Sequence, residues 1–442
     1  MNILILGSGG REHAFALKIA DSKLTDKLYV APGNSGTQEI ATNIPININD
    51  FEQVKKKSLE LGISMIIVGP EDPLVNGIHD FFAKDKETNS ITIIGPKQNA
   101  ASLEGSKDFA KKFLVRHKIP TARYATFTRE NIKEGFKFLK TLTPPYVLKA
   151  DGLAAGKGVL IIDSFDEAKS QLTEMLVGEK FGIASSKVVI EEFLDGIELS
   201  CFVLTDGVNY KVLPTAKDYK RIGEGDTGLN TGGMGAISPV PFANKTLLNK
   251  IEQNIIIPTI EGLKKDNIEY QGFIFIGLIN VNNNPKVIEY NVRMGDPETE
   301  VVLPRIQNDF VEIFQSFKNK TLDKIELNID HRSAATVVLV SGGYPSSYNK
   351  GIKITGIDHV VDSTVYHAGA IREKENIYTN GGRVLAITSF GNNFQQALKT
   401  SYNSASKINF KGKYYRKDLG FDLKKRMCRD RFVFFLIVIK LF

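Results

Sequence analysis

The sequence predicts an α/β multidomain protein that opens on an open parallel sheet, and three observations carry that expectation. Short apolar runs alternate with helix-like stretches through the first hundred residues, and the runs are continuous, as in strands buried on both faces. A chain of 442 residues is long enough for two to four domains at roughly 100–200 residues each. Apolar residues make up 42% and charged residues 24%, ordinary globular values that exclude disordered and fibrous architectures.

Asn2–Leu6 is the first strand and Lys27–Val30 a short second; Ser64–Val68 and Ile91–Ile94 follow, each running into Gly-Pro, a turn signal. Glu12–Ala20, Phe51–Leu61 and Gly77–Lys84 read as the intervening helices. Ligands of such sheets sit at the carboxyl ends of strands, where Gly7-Ser-Gly-Gly-Arg-Glu-His13 and Gly69-Pro-Glu-Asp-Pro73 fall. A second segment starts near Gly105 with a helix over Ser106–His117, Ile119-Pro-Thr121, and a helix over Asn131–Thr141. Strands Tyr146–Ala150 and Val159–Ile162 flank the glycine-rich Asp151–Gly158, which predicts a hairpin lid; a helix over Phe165–Val177 and strand Val188–Glu192 follow. Further strands are expected at Leu199–Leu204, Phe273–Val281 and Lys286–Asn291, with a helix near Ala243–Lys264. A last segment from Arg332 carries strands Ala334–Val340 and Val384–Thr388 and a helix over Asn393–Lys407.

The net charge of +7 resides at one end. Residues 411–442 hold ten Lys/Arg against three Asp, so the first 410 residues balance. A nucleic-acid binder carries its basic face within the folded body, so no nucleic-acid partner is expected. Cys201 and Cys428 cannot form a disulfide framework and fit a reducing compartment. Met1-Asn2 leads straight into an apolar strand, without the basic region of a signal peptide, and the longest apolar run, Phe432–Ile439, is too short to span a bilayer. A cytoplasmic protein without membrane contact is expected.

Gly7-Ser-Gly-Gly reads either as a cradle whose backbone N–H groups meet a phosphate at a helix start or as a tight structural turn. The dinucleotide fingerprint would need glycine where Glu12 stands, which disfavours a dehydrogenase. Lys149-Ala-Asp-Gly-Leu-Ala-Ala-Gly-Lys157-Gly158 is not a Walker loop, since the glycine spacing is one short and Gly158 replaces the metal-binding hydroxyl. Its small residues and Lys157 still suit a mobile cationic flap over a triphosphate, with Lys149 placed on the preceding strand to reach a phosphate. In Val189-Ile-Glu-Glu-Phe-Leu-Asp-Gly196, Glu191 and Glu192 are adjacent on a strand and must point to opposite faces. That segment reads either as an adenine-reading edge, with Glu198 accepting from ribose hydroxyls, or as a plain sheet edge. Asp218–Gly235 is long, polar and rich in glycine, the pattern of a functional loop. Glu289 and Asn291 are two apart on a strand, so their oxygens share a face and suit Mg²⁺ or Mn²⁺ beside phosphate. Arg293 continues the alternation and supplies a fork for a carboxylate or phosphate. No H-x-x-x-H spacing and no G-x-S-x-G elbow occurs, so the nucleophile is expected to come with the substrate.

Gly-Gly-Arg-Glu-His, Ala-Pro-Gly-Asn-Ser-Gly-Thr, Gly-Pro-Glu-Asp-Pro-Leu, Leu-Glu-Gly-Ser-Lys, the lysine–glycine flap, Asn-Thr-Gly-Gly-Met-Gly and Asn-Val-Arg-Met-Gly-Asp-Pro-Glu-Thr occur in an order and spacing that, from residue 1 to about Asp422, resemble the phosphoribosylamine–glycine ligase family of ATP-grasp enzymes. The resemblance implies an N-terminal α/β substrate-binding domain (1–104), an ATP-grasp core (105–330) with a mobile lid at about 127–194, and a small α+β C-terminal domain (331–423), followed by an atypical tail (424–442). It implies ligation of glycine to 5-phosphoribosylamine with ATP and a divalent metal, through glycyl phosphate, in de novo purine synthesis, by a monomer or dimer.

By the same resemblance, Lys107, Lys149, Gly152, Ala155, Gly156, Lys157 and Gly158 hold phosphates, and Glu191, Glu192, Phe193, Leu194 and Glu198 line the adenosine. Glu289 and Asn291 bind the metal. Gly9, Gly10, Glu71, Asn230, Thr231, Gly232, Gly233, Arg293 and Asp296 are substrate-site candidates, and Arg293, Lys149 and Asp218 the catalytic ones. Many relatives bring a further metal carboxylate from the preceding strand, whereas Phe273–Leu278 offers none. Another ADP-forming ATP-grasp ligase or carboxylase, or a silent nucleotide binder, are the rival readings; intact Glu289, Asn291, Arg293 and Lys149 argue against silence. The family pattern ends near Gly420, and Lys424–Phe442 reads as a strand or helix docking on the C-terminal domain, as a weak membrane or partner contact, or as a tail without function; the last is favoured, so a chain ending at Leu423 is expected to keep full activity.

Overall fold

In the computed structural model, which describes residues 1–153, 158–178, 180 and 182–423, the strand Asn2–Gly7 lies at the centre of an open sheet. Its neighbours are Lys27–Pro32 and then Thr42–Asn43 on one side, Met65–Val68 and then Thr92–Ile94 on the other, all parallel. Alternation divides the central strand between two cores, Leu4 and Leu6 packing on one face, Ile3 and Ile5 on the other. The sheet is therefore covered on both sides, and the continuous apolar run follows from that. The chain leaves Asn2–Gly7 toward Lys27–Pro32 on one side and leaves Met65–Val68 toward Thr92–Ile94 on the other, which places the topological switch at Gly7–Gly9 and Gly69–Glu71.

Helices Gln98–Gly105 and Lys107–Arg116 lead into a four-stranded antiparallel lid sheet ordered Tyr124–Phe127, Val188–Glu192, Tyr146–Ala150, Val159–Ile162. Helices Ile132–Leu139 and Phe165–Val177 cover it through a separate core that includes Phe127, Leu148, Leu172 and Ile190. The expected hairpin is present, since Tyr146–Ala150 and Val159–Ile162 pair antiparallel; residues 154–157 within it lie outside the described residues. The central sheet runs Tyr210–Val212, Ile197–Thr205, Gly272–Val281, Asn284–Asn291, again antiparallel.

Two findings depart from the sequence reading. Asp218–Gly235 is not a structureless loop: Arg221–Gly223 and Thr227–Asn230 pair as a hairpin, and Gly235–Ser238 joins a sheet. That sheet also crosses the boundary expected at 330/331. Lys217–Asp218 and Gly235–Ser238 pair edge to edge with Ser333–Val340, Arg383–Gly391 and Thr364–His367, backed by helix Phe394–Lys407. Residues 424–442 lie outside the described residues.

Candidate active site

A cavity of about 1000 Å³ opens where the switch-point loops, the lid sheet, the central sheet and Arg383 converge. Helix Lys107–Arg116 starts at its edge because Ser106 caps it, Oγ accepting from Phe109 N at 3.1 Å. Asp151 ties the hairpin to this helix start, accepting from Ser106 Oγ and from Asp108 N at 3.1 Å each. Lys107 reaches across to donate to the Gly152 carbonyl at 2.9 Å. Lys107 and Gly152 thus hold the root of the flap, and burial lowers the lysine's pKa against the pull of Glu289.

Alternation along Val188–Glu192 sends Glu191 inward and leaves Glu192 partly exposed. Glu191 Oε2 lies 3.0 Å from Lys111 Nζ and Oε1 3.0 Å from Lys149 Nζ, all three side chains buried. Burial opposes the carboxylate, but Lys149 and Lys111 hold it below the usual range, while burial brings Lys111 down to about 8. Glu192 pairs with Lys286 at 3.5 Å, and Phe193 and Leu194 complete this wall. Glu198, half-exposed, pairs with Lys220 at 3.0 Å.

Glu289 and Asn291 both line the cavity, as their spacing predicts. Gly277 stands opposite Glu289, where a Cβ would lie 3.2 Å from Glu289 Cγ, so glycine gives that carboxylate its room. Among the described residues no cation pairs with Glu289 within 4 Å, and no group of three His, Cys, Asp or Glu side chains surrounds a common point. Two hard oxygen donors that line one cavity fit a divalent cation that would take its other ligands from water and substrate.

Three expectations are corrected. Arg293 lines the cavity, as does Glu71, but not as an open fork: Nη2 lies 2.7 Å from Glu104 Oε1, Nε lies 3.2 Å from Glu71 Oε2, and Nη1 donates to the Met294 carbonyl. Its alternation aims it into the junction between the N-terminal sheet and the core, where a buried guanidinium requires countercharge. Burial opposes Glu71's charge, yet Arg293 and Arg11 keep its carboxyl below the usual range; burial wins at Glu104, pushed up to about 7. Gly9 and Gly10 are the second correction, since neither lines the cavity. Gly9 N donates to Glu12 Oε2 at 2.6 Å, and Cβ atoms at Gly9 and Gly10 would run into Asp296 and Glu300. Glu12 of the same helix, with Asp296 and Glu300 from a distant segment, crowds this helix start, which supports the structural turn over the phosphate cradle. Gly233 is the third: its Cβ would meet Pro297 at 2.4 Å with φ near +120°, so it permits loop packing away from the cavity.

Gly152, Gly158, Asp218, Asn230, Thr231, Gly232 and Asp296 do line the cavity; Ala155, Gly156 and Lys157 lie outside the described residues. Asp296 faces Arg383 at 3.0 Å. Sequence reasoning missed Glu104, Lys111, Lys220, Glu298 and Arg383. Lys111 is one helical turn from Lys107, and Lys220 and Glu298 sit inside motifs already singled out, so local signals existed. Arg383 had none.

Family models match three successive regions, described as the phosphoribosylglycinamide synthetase N domain (1–104), ATP-grasp (A) domain (105–299) and C domain (334–422). The phosphoribosylamine–glycine ligase of Vibrio vulnificus is 44% identical over 426 residues, 95% of this chain and 98% of that protein. The crystal structure of phosphoribosylamine–glycine ligase from Thermotoga maritima superposes with a TM-score of 0.81 at 36% identity, covering 95% of this chain and 100% of that one. The biotin carboxylase domain of Hydrogenobacter thermophilus 2-oxoglutarate carboxylase, in complex with MgADP, ADP and bicarbonate, shares the fold at 17% identity, with a TM-score of 0.70 over 93% of this chain and 91% of that one. On matches that extend from Met1 to Asp422, the chain belongs to the phosphoribosylglycinamide synthetase family.

Proposed function

We infer that this chain is an ATP-dependent, ADP-forming ligase that joins glycine to 5-phosphoribosylamine, giving glycinamide ribonucleotide and phosphate through glycyl phosphate, in de novo purine biosynthesis. The observation that carries the reading is relatedness to phosphoribosylamine–glycine ligases across nearly the whole chain, together with a cavity bounded by lid, core and N-terminal switch point. A glycine carboxylate oxygen attacks the γ-phosphorus and ADP leaves; the sugar amine then attacks the acyl carbon and phosphate departs. Positioning and charge stabilisation suffice for such transfer, in keeping with a cavity that holds lysines and carboxylates rather than a protein nucleophile.

In this reading Lys107 and Lys149 face the phosphates, with Glu191 holding Lys149 in place, and Glu192–Leu194 and Glu198 border the adenosine. Glu289 and Asn291 hold Mg²⁺ or Mn²⁺, and a cation there supplies charge neutralisation to phosphate oxygens. Asn230, Thr231, Gly232 and Asp296 border the second substrate, while Arg293, gripped by Glu71 and Glu104, fixes the wall between the substrates. The division into 1–104, 105–330 and 331–423 belongs to the same reading, supported by the ranges of the three family matches and qualified by the sheet shared across 330/331. Charge balance over the first 410 residues supports small-molecule partners, and no helix among the described residues is long and apolar enough to cross a membrane. A cytoplasmic location is supported by the cysteine usage, with burial pushing the Cys201 thiol up to about 12.

Glycine labelled with oxygen-18 in its carboxylate tests the reading. Transfer of one labelled oxygen into the released phosphate is expected, and phosphate without label would contradict an acyl phosphate.

A further inference from the structure

Amide formation releases a proton. As the amine nitrogen of phosphoribosylamine bonds to the acyl carbon and the C–O bond to phosphate breaks, the nitrogen sheds one N–H proton that a base must receive. Among the described residues no histidine lines the cavity. Most of its carboxylates are committed to cations within 4 Å: Glu71 and Glu104 to Arg293, Glu191 to Lys111 and Lys149, Asp296 to Arg383. Glu198 and Asp422 are likewise held, by Lys220 and Lys217. Pairing with a cation lowers the basicity of most of these carboxylates; at Glu104, which burial pushes up to about 7, both oxygens are already engaged, Oε1 by Arg293 Nη2 and Oε2 by the Val292 backbone N–H at 2.7 Å each.

Among the described residues, Asp218, Glu289 and Glu298 are the cavity carboxylates that form no such ion pair. Glu289 faces the phosphates as a candidate cation ligand. Glu298 is 3% exposed yet lines the cavity, and its Oε1 accepts from Ser200 Oγ at 3.2 Å. Its other oxygen lies over Gly295, where a Cβ would stand 2.4 Å from Oε2, so glycine keeps that side open.

We propose that Glu298 is the general base of the second half-reaction, taking the proton from the attacking amine through Oε2 while Ser200 steadies Oε1. The proposal rests on the ligase reading above. The proton passes from nitrogen to the Glu298 carboxylate, and the electron pair of the breaking C–O bond leaves with phosphate. The surroundings tune the group to this task. Burial first, then the like charge of Asp218, push Glu298 up to about 7, while Lys220 and Arg293 pull the other way; Glu300, on the same segment, is itself driven far above the usual range by burial and Asp296. A carboxylate poised near neutrality is basic enough to accept a proton and ionised often enough to act.

The test separates the two half-reactions in the full chain. Hydroxylamine is a strong, weakly basic nucleophile that intercepts an acyl phosphate without help from a base. Glu298→Gln is expected to lower phosphoribosylamine-dependent turnover by about 10²–10⁴-fold. The same variant should keep most of the wild-type rate of glycine- and ATP-dependent hydroxamate formation. The wild-type acid limb of kcat should vanish in Glu298→Gln and move to lower pH in Asp218→Asn, which removes the like charge. Equal loss of ligation and hydroxamate formation would make Glu298 structural and overturn the proposal, as would unchanged ligation or an acid limb that persists in Glu298→Gln. Wild type that forms no glycinamide ribonucleotide from ATP, glycine and phosphoribosylamine would overturn the ligase reading itself, and the proton acceptor with it.

Discussion

Glu191 carries two lysines on its two oxygens, at 3.0 Å each, with no side chain of the three more than 6% exposed. Removing its charge leaves two cations buried side by side. Glu191→Gln is therefore expected to cost about 3–5 kcal/mol of lid and core stability, read from urea unfolding. An unchanged midpoint would mean that water reaches these lysines. Glu289→Gln keeps the volume but removes a hard, charged ligand, so it should leave unfolding unchanged while metal-dependent kcat/KM falls by about 3 kcal/mol, roughly a hundredfold. Wild-type rates at limiting Mg²⁺ would remove Glu289 from the site. Alternation alone was enough to separate Glu191 from Glu192 and to bring Glu289 and Asn291 together, because side-chain direction on a strand is local. What Arg293 meets was not legible, since Glu71 and Glu104 arrive from 222 and 189 residues away.

Between elements, the joint of the helix Gly10–Ala20 with the strand Thr364–His367 is built from two neutral imidazoles. The His367 backbone N–H donates to His13 Nδ1 at 2.8 Å, and His367 Nδ1 shares a hydrogen bond with Ser35 Oγ at 2.7 Å. Burial, then His367, drives His13 down to about 3; burial, then Arg372, drives His367 down to about 4. The unfolded chain, with histidine pKa near 6.5, binds these protons first, so stability is whole above about pH 6.5 and is lost as pH falls toward 4, by about 1.4 kcal/mol per pH unit for each proton taken up. His367→Asn should flatten that slope over this window relative to wild type; identical slopes would show that the ring is already charged in the fold. Local pattern announced the helix and most strands. The hairpin in Asp218–Gly235 stayed hidden because glycine and charge, not alternating apolar residues, build it, with Arg221 Nη1 donating to the Gly228 carbonyl at 2.7 Å.

For the whole molecule, the sheet that joins Gly235–Ser238 to Ser333–Val340 makes the C-terminal region part of the site rather than an appendage. Pairing over such a separation leaves no trace in local periodicity, which is why a boundary at 330/331 looked natural. Asp422 accepts from Tyr219 Oη at 2.9 Å, lies 3.3 Å from Lys217 Nζ and lines the cavity. A chain ending at Leu423 should keep full turnover and, without the apolar run Phe432–Ile439, gain solubility, whereas one ending at Phe421 should lose activity and melt lower. Reduced activity of the first would show that the tail contributes. The central claim, that one cavity couples ATP, glycine and phosphoribosylamine, is tested most directly by steady-state ADP release with each substrate omitted in turn. Sustained ADP release with glycinamide ribonucleotide formed one for one, and only when all three are present, is the predicted result; ADP release driven by bicarbonate or another amino acid, or ATP binding without turnover, would contradict it.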